Sequence, residues 1–277
     1  MKPQSTLTVP KPKEHGAWGM LYVPLLTAVG IGGTLNVRVL LLALAVTLLF
    51  LSQRPYAQLL TGKMIQRDTR LRRSNLVWMA VYWMLSALLF GLLYFNYGLE
   101  ALPRFALIGI PVAAAFTLLL KTNRLRTVAG ELVGISGLTL TAPLAHYAAV
   151  GQMQPVGFWL WGLFILYFAS SVFYIKAVLA NFLKARSKVM PEKLIYQRLC
   201  GSYHLGLALL MAGLATLDKV PAILLVAFLP VVARGLLGIQ KPQAKLNFAR
   251  IGWTEVLYSV FFAFFTALAM RLETLAP

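Results

Sequence analysis

VGFWLWGLFILYFASSVFYIKAVLA, residues 156–180, runs for 25 residues with Lys176 as its only charge. As an α-helix rising 1.5 Å per residue it reaches roughly 37 Å, enough to cross the ~30 Å hydrocarbon core of a bilayer. Its apolar side chains lie all round the helix, whereas a helix on the surface of a soluble protein confines them to one stripe. One such run fits inside a large core, so the number of runs decides the fold. Eight more flank it, at residues 16–34, 37–53, 75–97, 103–121, 127–149, 200–217, 220–238 and 250–271. The sequence therefore predicts an all-α, polytopic membrane protein of nine transmembrane helices. Residues 1–14 form a polar N-terminal segment, and 15–277 one transmembrane domain. Pro24 predicts a kink in the first helix, and Gly32, Gly33 and Gly98 predict turns. Gly130 and Gly134 form a small-xxx-small face that lets a neighbouring helix approach closely.

Composition agrees. The 277 residues are 59% hydrophobic and 12% charged, about half the charge of an ordinary soluble domain. Twenty-six Lys and Arg outnumber eight Asp and Glu, for a formal charge of +18. In a soluble chain that excess points to nucleic acid. Here it matches the cationic bias of cytoplasmic loops, so membrane lipids are the expected partners and nucleic acid is not. Cys200 is the single cysteine, which excludes an intrachain disulfide and a multi-cysteine metal site. No A-x-A cleavage pattern accompanies the first apolar run. A phosphate-binding glycine loop, GxSxG, HExxH and CxxC are all missing from the sequence.

The cations also set an orientation. With the N-terminus inside, the inner segments hold Lys2, Lys11 and Lys13; Arg54 through Arg73; Lys121, Arg124 and Arg126; Lys176 through Arg198; and Arg234 through Arg250. That places 22 cations inside, against Arg38, Arg104, Lys219 and Arg271 outside. Such a bias predicts an N-terminus in the cytoplasm and a C-terminus outside. The inner connections 54–74 and 181–199 are the long ones, and long loops tend to carry function. Gln66–Arg73 and Phe182–Lys188 each read as a short amphipathic helix at the membrane surface.

Ionisable residues at membrane depth are candidates for chemistry, because an unpaired charge there is costly. Glu131, in AGELVGISG, and Glu255, in IGWTEVLYS, each lie about one turn inside a helix, beside a basic loop. Each either pairs with a Lys or Arg to fix packing or takes part in binding or proton transfer. Glu14 and His15 stand where the first helix begins, as a favourable helix start or as a proton-shuttling pair. His204 resembles them, while His146 is read as interfacial. Arg54, Lys121 and Lys176 close their apolar runs, and Lys176 and Lys184, eight residues apart, share one helical face. They either snorkel toward lipid phosphates or line a pocket for an anionic head group. No two acidic residues fall within eight positions of each other, which argues against a Mg²⁺ site. No metal or other cofactor is expected.

The opening KPKEHGAWGMLYVPLL, residues 11–26, with the nine-span pattern behind it, resembles the YwiC-like family of bacterial membrane proteins. That resemblance implies a multi-pass protein of the bacterial cytoplasmic membrane and brings no biochemical activity. A more distant likeness is to the UbiA superfamily of intramembrane prenyltransferases: nine helices, N-terminus inside, with long inner loops after the second and sixth. Those enzymes bind Mg²⁺-diphosphate with Asp-rich motifs in the two loops, assisted by a Lys-bearing loop after the fourth helix. LLLKTNRLRTVAGELVGISG, residues 118–137, resembles the third feature and places Lys121 and Arg124 toward the diphosphate. SQRPYAQLLTGK, residues 52–63, falls at the first motif and offers Arg54 and Tyr56 but no acid. YIKAVLANFLKAR, residues 174–186, falls at the second and offers Lys176, Asn181 and Lys184, again without acid.

The resemblance thus implies the scaffold and argues against ordinary Mg²⁺-dependent prenyl transfer. Three functions stay open on the sequence. One is a metal-free basic cavity on the cytoplasmic side for an isoprenoid or lipid phosphate. Arg54, Tyr56, Lys121, Arg124, Lys176, Asn181 and Lys184 hold its head group there, with Glu131, Glu255 and His15 as acid–base groups. The others are a small-anion transporter and a non-catalytic membrane scaffold. Oligomeric state is not legible.

Overall fold

The computed structural model describes residues 15–62, 68–185, 195–238 and 248–275. They fold into ten helices: α1 His15–Gly32, α2 Val37–Thr61, α3 Thr69–Phe95, α4 Leu102–Lys121, α5 Val128–Thr139, α6 Thr141–Val150, α7 Pro155–Ala185, α8 Ile195–Thr216, α9 Ile223–Leu237 and α10 Phe248–Leu275. α5 and α6 meet end to end at Leu140 and make one apolar path, Val128–Val150. Nine paths are thus described. Seven are long and apolar enough to cross a membrane, and α1 and α9 are shorter. The break between α5 and α6 has a local cause. Pro143 has no N–H to give the Thr139 carbonyl, and Thr141 Oγ1 lies within donating reach of both the Leu21 carbonyl of α1, at 2.8 Å, and the Leu138 carbonyl, at 3.0 Å.

The outside of the bundle is apolar. Phe95, Leu107, Met84 and Trp253 are each more than two-thirds exposed, a surface stable against lipid and not against water. The core lies around α1, α6 and α7. α1 packs on α5, α6, α7 and α10; α7 packs on α5, α6, α8 and α9; and α2 packs on α3 along its length. Residues 141–149 of α6 are all buried.

Side-chain bonds order the helix ends. Lys176 in the C-terminal third of α7 meets Glu131 in the first turn of α5. Asn181 of α7 meets Gln197 of α8, Arg234 in the last turn of α9 meets Glu255 of α10, and Tyr56 of α2 meets Thr117 of α4. These contacts gather the connections after α2, α4, α7 and α9 at one end, termed here the basic end. At the opposite end, Thr34 and Asn36 donate to the Ala149 carbonyl at 2.9 and 3.1 Å, and Ala101 N–H donates to Tyr147 Oη at 3.0 Å.

Several expectations need correction. α2 does not end at Arg54 but continues through Pro55 to Thr61. Residues 69–73 are not a separate surface helix. They are the first turns of α3, started by Asp68, whose carboxylate accepts from Arg70 N at 2.9 Å. Phe182 likewise continues α7; residues 63–67 and 186–194 lie outside the described residues. Gly130 does not receive a neighbouring helix. A Cβ there would run into the Arg124 and Leu125 carbonyls of the connection before α5, and one at Gly134 would meet nothing within 4 Å. The close approach comes at Gly137, beside Val112 of α4. Gly33 and Gly98 turn the chain with φ of +76° and +67°, as expected.

Candidate functional site

Among the described residues two carboxylate–cation pairs stand at the basic end, on different sides of α7. The first grows from the α4–α5 connection. Thr127 caps α5 by accepting from Gly130 N at 3.2 Å, which places Glu131 in the helix's first turn, where the macrodipole favours an acid. Lys176 reaches across from α7, donating to Glu131 Oε1 at 2.9 Å and to the Arg126 carbonyl at 2.8 Å. The Lys176 side chain is 14% exposed and that of Glu131 35%. The second bond matters as much as the first, because it ties the Lys121–Arg126 connection to α7. Lys121, Arg124 and Arg126 are themselves exposed.

The second pair is deeper. Arg234 lies in the last turn of α9, where a cation complements the helix dipole. Its Nη1 donates to Glu255 Oε1 of α10, and Ser171 Oγ of α7 donates to Glu255 Oε2 at 2.6 Å. The guanidinium carbon sits 4.2 Å from the Tyr174 ring centre and 5.0 Å from that of Tyr258, within range of cation–π attraction. Only 7% of the Arg234 side chain is exposed, and 19% of Glu255. Nε and Nη2 of Arg234 are buried and have no partner among the described residues. Each unmade bond costs at least about 1–3 kcal/mol.

His204 packs beside this pair. A Cβ on Gly235, next to Arg234, would collide with its imidazole. His204 Nδ1 lies 2.7 Å from the Cys200 carbonyl, which only accepts, so Nδ1 carries the proton. Nε2 is then an acceptor, buried and without a partner among the described residues. Tyr167 Oη and Ser170 Oγ of α7 share that condition.

The remaining sequence-predicted residues are scattered. Tyr56 Oη bonds Thr117 Oγ1 at 2.8 Å, Arg54 is half-buried on the same helix, and Asn181 accepts from Gln197. The side chains of His15 and Lys184 lie outside the described part of the molecule. His146 is buried within the bundle near the Val150 end of α6, with Nε2 2.9 Å from Gln154 Oε1. Among the described residues no three His, Cys, Asp or Glu side chains gather as metal ligands do. The sequence reading missed Arg234 as a site residue, counting it among the loop cations. Its signal was present: apolar residues follow it at Leu236 and Leu237, so the charge lies within the span and not beyond it.

A helical bundle with an apolar exterior and charges paired at one end defines a multi-pass integral membrane protein. The family model described as YwiC-like protein matches residues 11–146, which bears out the resemblance carried by the opening motif. That stretch covers α1 to α5 and the first half of α6, so it holds Glu131 but neither Lys176 nor the Arg234–Glu255 pair. No curated protein and no solved structure matches the chain.

Proposed function

We propose that this protein binds an amphipathic anion, an isoprenoid or other lipid phosphate, at its basic end, and does so without a metal. In this reading the scaffold is of the UbiA type and the basic end faces the bacterial cytoplasm. The observation that carries the proposal is the bond from Lys176 to the Arg126 carbonyl. That bond ties the connection bearing Lys121, Arg124 and Arg126 to Lys176, which supports reading these cations as one group, with Glu131 as the carboxylate paired to Lys176. An ammonium has three donors, and the described contacts of Lys176 engage two, leaving one for a phosphoryl oxygen. Lys121 and Arg124, being exposed, add charge-assisted bonds from the rim. The lipid tail then follows the apolar exterior, and Glu131 holds the Lys176 ammonium in place.

The test uses the full chain in phosphatidylcholine nanodiscs, titrated with farnesyl phosphate and, separately, with phosphatidate in the disc. Saturable binding is expected with at least one, unchanged by EDTA. Lys176→Gln should weaken it by about tenfold or more, the loss of one charge-assisted bond. Lys121→Ala and Arg124→Ala should weaken it by less. If neither ligand binds, or Lys176→Gln binds as the parent does, the reading fails. The cations then serve topology and lipid contact alone, as in a scaffold.

A further inference from the structure

We propose a second, separate site, in which the side-on edge of Arg234 takes a monoanionic oxyanion with two acceptor oxygens, a carboxylate or a singly charged phosphate. Guanidinium nitrogens Nε and Nη2 form one of the group's two-toothed edges, the one that matches a carboxylate or phosphoryl pair. In Arg234 that edge is buried and unpartnered among the described residues, while Nη1 is committed to Glu255. Tyr174 and Tyr258 lie against the guanidinium, so a ligand joins it in its own plane.

Fixing the cation needs none of this edge. Glu255 already neutralises Arg234 and is itself held by Ser171. The chain thus spends its structural contacts on Nη1 and leaves the better recognition edge of the same group unused. A doubly charged ligand is disfavoured. With Glu255 in place the pair is neutral, and a dianion would bring two uncompensated charges into a low-dielectric setting. The hydroxyls of Tyr167 and Ser170 are also buried without a partner among the described residues, on the same helix as Ser171 and Tyr174. Tyr174 and Lys176 are two positions apart on α7, roughly 200° around the helix, so this site lies across α7 from the Lys176–Glu131 pair and does not depend on it.

The experiment reads thermal stability of the full chain, wild type and Lys176→Gln, in phosphatidylcholine nanodiscs. Probes are acetate and inorganic phosphate near pH 6, each against potassium chloride at equal ionic strength, and phosphatidate incorporated in the disc. A saturable rise in melting temperature is expected in both proteins with at least one probe. A response to acetate or inorganic phosphate assigns a free solute, and a response to phosphatidate alone assigns a lipid head group. Arg234→Lys keeps the charge but lacks the two-toothed edge, and should weaken binding by about tenfold or more. Glu255→Gln leaves the cation unneutralised and should tighten it several-fold, an effect that a misfolded variant cannot produce. No probe-specific rise in the wild type overturns the proposal, as does a Glu255→Gln affinity equal to or below the parent's. Loss of the response in Lys176→Gln alone would instead place the ligand at the first site and overturn this one.

Discussion

Glu131 with Lys176 and Glu255 with Arg234 are made from the same parts. Glu131 in the first turn of α5 and Glu255 about two turns into α10 each follow a basic connection, and each meets a cation in the C-terminal third of another helix. Their surroundings differ. The first pair is partly open, and its lysine also holds a loop carbonyl. The second is enclosed by two tyrosines and a serine, and its arginine keeps an edge unused. The difference teaches that depth, more than charge count, separates a topology signal from a candidate binding group. An open pair contributes little beyond position, whereas a buried one is costly to break.

The contrast can be broken most forcefully at Glu255. Glu255→Ala leaves Arg234 buried without its carboxylate and should destabilise the protein by about 3–5 kcal/mol, read by denaturant unfolding in mixed micelles. A loss under about 1 kcal/mol would show that the second pair behaves like a surface pair. Ser171→Ala removes a hydrogen bond to that carboxylate and should cost about 1.5–3 kcal/mol. Gly235→Ala drives a methyl group into His204 and should cost about 1–3 kcal/mol through overpacking. The same change in a His204→Ala background should be nearly free, and equal costs in both backgrounds would remove His204 from the contact. Glu131→Gln should be the mildest, at most about 1 kcal/mol and smaller still in high salt.

How far the sequence carried the reading depends on the kind of signal. The nine apolar paths were legible because bilayer thickness demands long runs of apolar residues. All nine are found within a few residues of the expected bounds, apart from α2, α3, α7 and α8, which extend further at the basic end. Those extensions were hidden because charged turns such as Thr69–Arg73 have no hydropathy signature, although Asp68 before them is a good cap. Glu131, Glu255 and Lys176 were legible as ionisable groups at membrane depth, and the structure pairs both carboxylates with cations, one of the two readings left open for them. Their partners were not legible. Arg126 is bonded through its carbonyl, which no side-chain pattern records, and Arg234 was hidden by its closeness to the basic segment 241–250. Depth along a short helix such as α9 needs the fold before it can be read.

The opposite end gives a useful control. Among the hydrogen bonds there, Thr34 and Asn36 donate to the Ala149 carbonyl and His146 meets Gln154. Removing one should alter stability without touching anion binding. Labelling of a cysteine placed at Arg124, in a Cys200→Ser background, should be blocked in intact cells and appear on permeabilisation, as the proposed cytoplasmic orientation requires.

The lipid that leaves the membrane with the protein tests the account most directly. Mass spectrometry of gently extracted wild type should show a phosphate-bearing amphiphile enriched over the host membrane, and Lys176→Gln should lose that enrichment. A lipid profile matching the host membrane, and identical in the variant, would contradict the account and leave a basic end that only orients the bundle.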